Sequence, residues 1–405
     1  MWENAVAIDR VTEIRSKSNV FFGVGAIQKI DFILEELKNK GINSVLIMTG
    51  KGSYKVSGAW DHVEPALTKH GITYALYDHI TPNPTADHVD TAVKKGLEVN
   101  AGAVLCIGGG SPVDAGKAAA IMLKYPEETT RRLFEAKFTP ESAVPIIAIN
   151  LTHGTGTEID RFAVITVSET EHKLAIGYDF IYPMYSIDDP ALMIGLSKEQ
   201  TLFVSIDALN HAVETATTII ASPYSISLAK EAIRLIAKFL PEIMKNPEDL
   251  RARYFLLYAS MISGIAFDNS FLHFTHALEH PLSAVHPQLA HGLGLSMILP
   301  AVIKYIYPAT STVLADILSP IVPNLEGKPS EALAAAQGVE KWLFDLGVVS
   351  KLGDEGFKLE DVNKLIYLLY ETHSSKPLLS LAPVTAEEKV IRAIYEESFV
   401  PYLPV

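Results

Sequence analysis

Val104-Leu-Cys-Ile-Gly-Gly-Gly-Ser-Pro-Val-Asp114 is predicted to form a buried strand, a glycine turn and the start of a helix. Gly108, Gly109 and Gly110 let the backbone approach a ligand closely, and Ser111 is the predicted N-cap of the helix. The free N–H groups of such a turn can hold a pyrophosphate. A tight turn without a ligand remains the alternative, because glycine also serves turns and the loop is not the GxGxxG dinucleotide fingerprint.

Short runs rich in β-branched residues alternate with helical stretches on both sides of this turn. Four runs are predicted strands: residues 44–48, 73–77, 103–107 and 145–149. Apolar strands that alternate with helices are typical of a mostly parallel sheet covered by helices on both faces. From Lys198 onward the pattern is helical almost throughout. We therefore predict an α/β nucleotide-binding domain at residues 1–194 and an all-α domain at residues 195–405.

A second glycine-rich stretch follows the last of these strands. It reads Thr152-His-Gly-Thr-Gly-Thr-Glu158. Open α/β sheets bind ligands at the carboxyl ends of their strands, so hydroxyl groups and glycines at this place favour a binding loop. A solvated turn is the alternative, and the neighbouring glycine turn favours the binding role.

Two pairs of side chains in the second half of the chain are spaced to share a helix face. Asp207 and His211 lie four residues apart, as do His276 and His280, and His291 follows shortly afterwards. A four-residue step places two side chains about one turn apart on the same face. Imidazole and carboxylate suit iron, zinc, nickel or manganese. A histidine on an apolar helix is usually a core or surface residue, but the shared spacing predicts that the all-α domain binds a metal.

Composition and charge limit the classes of partner. The 405 residues are 48% hydrophobic and carry a formal charge of −13, which argues against non-specific binding to nucleic acid or anionic membrane. The one cysteine, Cys106, lies in an apolar run, which predicts a buried structural thiol and a reducing compartment. The first ten residues lack a secretory-leader pattern, and no run of about 20 apolar residues predicts a membrane span. We expect a cytoplasmic protein.

Together, these stretches resemble one family closely, the iron-containing (group III) alcohol dehydrogenases. The resemblance covers nearly the whole chain and rests on six motifs: Pro82-Asn-Pro-Thr85, Gly108-Gly-Gly-Ser-Pro-Val-Asp-Ala-Gly-Lys117, Gly154-Thr-Gly-Thr-Glu158, Asp189-Pro190, Asp207-Ala-Leu-Asn-His-Ala-Val-Glu214, and His276-Ala-Leu-Glu-His-Pro-Leu-Ser-Ala284 with His291-Gly292. Each motif alone is weak, but six in this order are highly specific. The resemblance implies the architecture that these enzymes share with dehydroquinate synthase.

The resemblance implies which residues bind a nicotinamide cofactor. The glycine loop would hold the pyrophosphate, the second loop would approach the cofactor, and a lysine would lie near the nicotinamide ribose. The residues implied are Gly108, Gly109, Gly110, Ser111 and Asp114 in the first loop, Thr152 and Thr155 in the second, and Lys173.

The resemblance also implies the metal ligands and two residues of the substrate site. The ligands implied are Asp207, His211, His276 and His291. The expected metal is Fe²⁺, with Zn²⁺, Ni²⁺ or Co²⁺ as alternatives, because this donor set accepts each of them. His280 would lie near the substrate, either relaying the hydroxyl proton to solvent or supporting the ligands. Phe267 matches a pocket aromatic.

The chain departs from the family pattern at several places. His153 stands where a small residue is common, and Ser205 stands where a glycine is usual. The loop before His291 is one residue longer than in many relatives, which makes His286 a rival ligand. We favour His291, because the glycine and the helical run after it match the family. His273 is a spare candidate that the resemblance does not use.

The choice between NADP(H) and NAD(H) is predicted from the end of the second strand. Members of the family that use NAD often carry an acidic residue there, which accepts from the adenosine ribose hydroxyls. Gly50 occupies that position here. Glycine does not repel a 2′-phosphate, and Lys51 or Ser53 can bind it, so we predict a preference for NADP(H). The alternative is that Lys51 is a solvated turn residue.

The sequence therefore predicts a metal-dependent alcohol dehydrogenase or aldehyde reductase that acts on a primary aliphatic alcohol. In this hypothesis the metal polarises the alcohol oxygen while a hydride moves to the nicotinamide. Three alternatives remain: a glycerol-dehydrogenase-like enzyme using NAD(H) and zinc, a dehydroquinate-synthase-like lyase, and a non-catalytic protein with a structural metal. The apolar character of residues 262–291 favours an uncharged alcohol or aldehyde over a polyanion. A homodimer is the expectation from base rates.

Overall fold

The computed structural model describes residues 2–5 and 10–402, so that part of the N-terminal stretch inspected for a leader lies outside the described residues. The chain forms two compact units. The first comprises Ser16–Ser197 and Asn246–Leu257. The second comprises Lys198–Lys245, the described chain from Tyr258 onward and the described part of Met1–Arg15.

The first unit is built on a parallel sheet. The strands are β1 (Asn19–Phe22), β2 (Ser44–Gly50), β3 (Thr73–Ile80), β4 (Ala103–Gly108), β5 (Ile146–Asn150), β6 (Phe162–Val167), β7 (His172–Gly177) and β8 (Tyr185–Asp188). Six of them form a sheet in the order β1-β8-β5-β4-β2-β3, and every pair is parallel. β6 and β7 form a separate antiparallel pair.

Helices cover both faces of this sheet. The first unit contains α1 (Ile30–Asn39), α2 (Ser53–Val56), α3 (Ala59–His70), α4 (Ala86–Glu98), α5 (Gly110–Met122) and α6 (Thr130–Phe134). Successive side chains of a strand point to opposite faces. On β2, Val45 joins a core cluster with residues of α1 and α3, whereas Leu46 joins a second cluster with residues of α4 and α5. The predicted α/β class is confirmed.

Three of the predicted strands, β2, β4 and β5, are buried along almost their whole length, whereas the edge strand β3 is partly exposed. Strands β2, β3 and β4 end one to three residues later than predicted, and β5 keeps its predicted length one residue further along the chain. The remaining strands, β1 and β6 to β8, are not among the predictions. Three of them have polar or partly exposed positions, and β8 is only four residues long. In a single sequence β1, β7 and β8 resemble loops, and pairing with their neighbours decides their conformation. The run Phe-Ala-Val-Ile-Thr-Val of β6 is apolar and rich in β-branched residues, as is typical of a strand, and the prediction missed it.

Close packing of α5 against β4 depends on a small residue. A β-carbon at Gly116 would collide with the sulfur of Cys106. Cys106 is fully buried, and burial raises the pKa of its thiol to about 12. The predicted buried structural thiol is therefore confirmed.

The second unit is helical. It contains α7 (Lys198–Thr217), α8 (Pro223–Lys245), α10 (Phe274–Val285), α11 (His291–Ile317), α12 (Ala332–Asp345), α13 (Val362–Glu371), α14 (Ser375–Leu381) and α15 (Glu388–Glu397). Helix α9 (Leu250–Ser270) contributes residues to both units, because the unit boundary falls between Leu257 and Tyr258. The predicted helical character of this half is confirmed.

Helix α11 is the most apolar of the long helices in the described chain. Its composition and its 27 residues satisfy a length-and-hydropathy test for a membrane span, and so does the pair α9 and α10, which is bent by 104°. The most apolar window of α11 is 78% buried within the protein. Burial of this kind is typical of a core helix, which needs an apolar surface on all sides.

Candidate metal centre and cofactor loops

Helix α7 supplies the first two predicted ligands. Asp207 and His211 lie one turn apart, and His211 Nε2 is 3.5 Å from Asp207 Oδ1. The His211 ring stacks between His276, with ring centroids 4.6 Å apart, and Phe267, with centroids 5.3 Å apart. Phe267 therefore orients a predicted ligand, and its assignment to the substrate pocket stays a prediction.

Helix α10 supplies His276, which lies between two carboxylates. Its Nδ1 contacts Glu214, a residue of α7, and its Nε2 is 3.3 Å from Asp207 Oδ1. Glu214 also accepts from the backbone N–H groups of His273 and Thr275, at 3.0 and 2.8 Å. One carboxylate thus secures the first turn of α10 and orients the His276 ring with Nε2 towards Asp207.

His291 is the first residue of α11 and repeats this arrangement. Its Nδ1 lies 2.5 Å from Glu279 Oε2, and its Nε2 lies 3.9 Å from Asp207 Oδ1. Ser283 donates to the same Glu279 carboxylate. Gly294 makes room for this contact, since a β-carbon there would lie 2.8 Å from the Glu279 side chain.

The donor atoms of Asp207, His276 and His291 lie within 4.8 Å of one another. Ligands held at roughly 2.1 Å by a tetrahedral cation are about 3.4 Å apart, which compares with the 3.3 to 3.9 Å that separate three imidazole nitrogens from Asp207 Oδ1. The fourth predicted ligand, His211, is not part of this group of three, although its Nε2 faces Asp207. A carboxylate with nearby imidazoles fits Fe²⁺ or another divalent transition metal.

Burial and the charges of neighbouring side chains set the protonation states within this cluster. Burial lowers the pKa of His211 to about 4, although the charge of Asp207 opposes the shift. Burial would also lower the pKa of His276, but the charge of Glu214 and the hydrogen bonds to both carboxylates raise it to about 9. For Asp207, burial opposes ionisation, and the three nearby histidines nevertheless hold its pKa well below its usual range. At neutral pH Asp207 is therefore ionised and His211 is neutral, whereas His276 carries a proton that a bound cation would displace.

Three other histidines of this unit have distinct places. His280 is buried, and its ring centroid lies 6.1 Å from that of His291. His286, the rival ligand, stacks on Phe357 with centroids 4.2 Å apart. His273 is the N-cap of α10, and its Nδ1 accepts from the next backbone N–H at 2.7 Å. The structure therefore brings His291, rather than either alternative, to Asp207.

In the first unit, the two glycine-rich loops lie against each other. β4 ends at Gly108, which pairs with Asn150 at the end of β5. A β-carbon at Gly109 would lie 2.6 Å from the Thr152 hydroxyl oxygen, and one at Gly110 would lie 2.6 Å from the Thr155 methyl carbon. These glycines are required for contact between the loops, as well as for any approach of a ligand.

The predicted N-cap of α5 is wrong by two residues. The helix begins at Gly110, and its N-cap is Gly109, so Ser111 lies inside the first turn. A glycine can serve as N-cap when a close neighbour excludes a side chain, and here Thr152 does so. The first-turn N–H groups of α5 still lie beside the second loop, and such groups can bind an anion.

Two further residues assigned to the cofactor are buried within the same unit. Asp114 Oδ1 accepts from the Thr157 hydroxyl at 2.6 Å, and its Oδ2 accepts from the Val164 N–H at 3.0 Å. Lys173 lies on β7 and is 7% exposed. The contacts of Asp114 join the helix α5 to the strand β6, and its role at the cofactor stays a prediction.

The residues proposed to select NADP(H) lie at the carboxyl end of β2. Gly50 is the last residue of that strand, Lys51 is exposed, and Ser53 begins α2. A β-carbon at Gly50 would lie 3.6 Å from the Ser53 hydroxyl oxygen. This is ordinary contact, so the absence of a side chain at Gly50 is not imposed by packing.

Sequence reasoning missed the partners of the predicted ligands. Glu214 lies seven residues after Asp207, and Glu279 lies three residues after His276, so both spacings return to the ligand face of a helix. An acidic residue on the buried face of an apolar helix, one or two turns from a ligand, is the signal that identifies them. Both carboxylates belong to the motifs quoted above.

Comparison with known proteins agrees with this site. Residues 17–190 match the family described as iron-containing alcohol dehydrogenase, and residues 201–399 match the C-terminal part of the same family. The chain belongs to the iron-containing alcohol dehydrogenases. It is an oxidoreductase of that family, and the family implies a metal, which the donor set described above fits.

Particular relatives resemble the chain along nearly its full length. It is 58% identical to the long-chain primary alcohol dehydrogenase AdhA of Thermoanaerobacter ethanolicus over 98% of this chain and all of that one. It is 32% identical to the 1,3-propanediol dehydrogenase of Klebsiella pneumoniae over 94% and 96% of the two chains. The crystal structure of an NADH-dependent butanol dehydrogenase from Thermotoga maritima has a TM-score of 0.88 at 31% identity, covering 96% of this chain and 98% of that one.

Proposed function

We propose that this protein transfers a hydride between a primary aliphatic alcohol and NADP(H), with Fe²⁺ held by Asp207, His211, His276 and His291. The observation that carries the proposal is the convergence of the donor atoms of Asp207, His276 and His291 within 4.8 Å. When bound, the metal would act as a Lewis acid on the alcohol oxygen. Zn²⁺, Ni²⁺ and Co²⁺ suit the same donors.

The side chains around the donors have separate tasks in this proposal. Glu214 and Glu279 accept from the Nδ1 atoms of His276 and His291 and thereby keep each Nε2 available as a donor. His280, buried beside His291, relays the hydroxyl proton towards solvent. Phe267 holds the His211 ring in place through stacking.

The test of this function is oxidation of primary alcohols by purified protein, followed by the absorbance of the reduced nicotinamide. Activity should disappear when a chelator removes the metal and return when Fe²⁺ is added. Turnover that persists after complete metal removal would contradict the proposal. A protein that binds metal without any turnover would instead support a structural metal site.

The alcohol is proposed to be a primary aliphatic one, and its chain length sets the design of the substrate panel. The relative at 58% identity is a long-chain primary alcohol dehydrogenase, whereas an apolar pocket alone would also suit shorter alcohols. The panel should extend from ethanol through butanol and octanol to hexadecanol, with glycerol and 1,3-propanediol as polar controls. A preference for glycerol would favour the polyol dehydrogenase alternative.

The preference for NADP(H) is supported by the residues after β2. Gly50 carries no carboxylate, and the exposed Lys51 together with Ser53 can bind a 2′-phosphate. The Thermotoga maritima enzyme is NADH-dependent, so the cofactor must be measured for this chain. We expect kcat/KM to be higher with NADPH than with NADH, and a clear preference for NADH would reject this part of the proposal.

Substitution at Gly50 sharpens the cofactor test. A β-carbon fits there, since its nearest neighbours would be 3.4 Å or more away. Gly50→Asp should lower kcat/KM for NADPH about tenfold or more through repulsion of the 2′-phosphate, and it should leave NADH less affected. Lys51→Ala should weaken NADPH alone. Equal effects on both cofactors would show that these residues do not contact the 2′-phosphate.

A further inference from the structure

The second glycine-rich loop contains a buried histidine with a charged partner. His153 is fully buried, and its Nε2 lies 2.9 Å from Nη1 of Arg253, a residue of the first turn of α9. Arg253 is itself fully buried and donates from Nη2 to the backbone oxygens of Pro247 and Leu196, at 3.2 and 3.4 Å. All four residues belong to the first unit.

The contact fixes the state of the imidazole. Arg253 can only donate hydrogen bonds, so His153 Nε2 must be the acceptor and the ring must be neutral. Burial, together with the charge of Arg253, lowers the pKa of His153 to about 3. The ring is therefore neutral at neutral pH, with Nε2 as the hydrogen-bond acceptor.

The anchored histidine lies between the two threonines that contact the glycine turn. Thr152 precedes it and excludes a side chain at Gly109, and Thr155 follows two residues later and does the same at Gly110. Displacement of His153 would therefore move both surfaces on which the first turn of α5 rests. Close packing transmits such displacements, because interiors have little free volume.

We propose that His153 and Arg253 form a positioning pair that holds the second loop against the glycine turn and thereby sets the affinity for the nicotinamide cofactor. The pair does not touch the cofactor in this proposal; it acts through Thr152 and Thr155. The inference rests on the proposed function, because it requires that these loops bind the cofactor. It assigns a role to the histidine that stands where the family commonly has a small residue.

Two amide substitutions separate positioning from mere bulk. The amide of Gln reaches about as far as histidine Nε2, whereas that of Asn reaches only as far as Nδ1. His153→Gln keeps a neutral acceptor for Arg253, and His153→Asn leaves the buried guanidinium without it. Equilibrium titration of each holoenzyme with NADPH and with NADH, followed by ligand fluorescence, measures Kd. We expect His153→Asn to raise Kd about tenfold, the typical effect of one buried donor left without its acceptor, and His153→Gln to stay within about twofold of the unaltered protein.

Further measurements exclude a general loss of structure. Metal content and the KM for the alcohol at saturating cofactor should be unchanged in His153→Asn, and His373→Asn, at an exposed histidine, is the matched control. Arg253→Met should raise Kd similarly, and the double variant should be no worse than either single variant, since the two residues act as a unit. Additive effects, or equal Kd for the Asn and Gln variants, would overturn the inference. If the unaltered protein binds neither cofactor, that result contradicts the proposed function itself, on which the positioning role depends.

Discussion

At the scale of single residues, two buried carboxylates orient the rings of two proposed histidine ligands. Glu214 and Glu279 contact Nδ1 of His276 and His291 and leave Nε2 facing Asp207. Loss of a partner of this kind typically lowers metal affinity 10- to 100-fold. We expect Glu279→Gln to weaken metal binding by about that factor, because an amide cannot supply the same charge. Competition with a chromophoric chelator measures the affinity.

A matched control for this prediction lies in the same unit. Glu340 is also fully buried, but its carboxylate pairs with Lys351. Glu340→Gln should lower stability without changing metal affinity. If both variants retain the affinity of the unaltered protein, the Glu279 carboxylate is not a support of the metal site.

Asp188 gives folding stability a pH dependence that does not involve the proposed metal ligands. It ends β8, accepts from Asn150 at 3.0 Å and is fully buried. Burial raises its pKa from 3.8 to about 7, although the Asn150 hydrogen bond opposes the shift. The buried Glu158 titrates together with it, because burial and the charge of Asp188 also raise the pKa of Glu158. The folded state then binds a proton that the unfolded state has already released, so folding stability falls as pH rises from about 4 to 7.

Replacement of this carboxyl by an amide, which does not titrate, removes the loss of folding stability at high pH. Asp188→Asn should be more stabilising, relative to the unaltered protein, at pH 8 than at pH 5. Thermal unfolding at the two pH values measures the difference, with Asp345→Asn at an exposed ion pair as the control. If the unfolding midpoints of Asp188→Asn and the unaltered protein differ by the same amount at both pH values, Asp188 does not bind a proton in the folded protein.

The residues that were predicted carry a signal in the sequence around them, whereas a residue that was missed carries none. Asp207, His211 and His276 were predicted as ligands because helical spacing and family motifs both mark them, and His291 was predicted because the family motif marks it. Arg253 was not, because an arginine in an ordinary helical stretch carries no sign of burial. Its proposed role follows from tertiary contacts with residues far along the chain, His153 and Leu196.

At the scale of elements, a glycine sets the distance between α11 and α7. A β-carbon at Gly292 would collide with the backbone oxygen of Phe203, which cannot move aside as a side chain can. Gly292→Ala should therefore shift the start of α11 together with His291 and destabilise the protein by about 1–3 kcal/mol, as overpacking usually does. Metal content and the thermal unfolding midpoint should fall together.

Gly353 provides the comparison for this substitution. A β-carbon there would lie 3.7 Å from the Phe399 ring, which is ordinary contact. Gly353→Ala should leave metal content unchanged. Should Gly292→Ala bind metal as well as Gly353→Ala does, the approach of α11 to α7 would not be limiting for the site.

Elements were predictable from sequence where their pattern was continuous. The apolar strands β2 to β5 appear near the predicted positions, and the long helices α7, α8 and α9 lie in the half of the chain that was predicted to be helical. The sequence pattern did not predict that Asn246–Leu257 belongs to the first unit. Helical periodicity reports which face of a helix is buried, but it does not report which neighbour buries it.

At the scale of the whole molecule, cofactor and metal are assigned to different compact units. The proposed cofactor residues all lie within Ser16–Ser197, and the proposed metal ligands all lie in the second unit. Metal removal should therefore abolish turnover and lower the thermal midpoint, because a bound ligand stabilises the folded form. The Kd for the nicotinamide cofactor should change little, as titration of the chelated protein can measure. A large loss of cofactor affinity would show that the metal supports the loops.

The packing of Cys106 has a practical consequence. It is the one cysteine of this sequence, and a buried thiol with a pKa of about 12 forms very little thiolate at neutral pH. Maleimide dyes and spin labels react with thiolates, so they should leave the native chain unmodified. A cysteine introduced at Val56, which is 79% exposed, would then carry a single probe beside the loop after β2, and its signal could report cofactor binding without removal of any native residue.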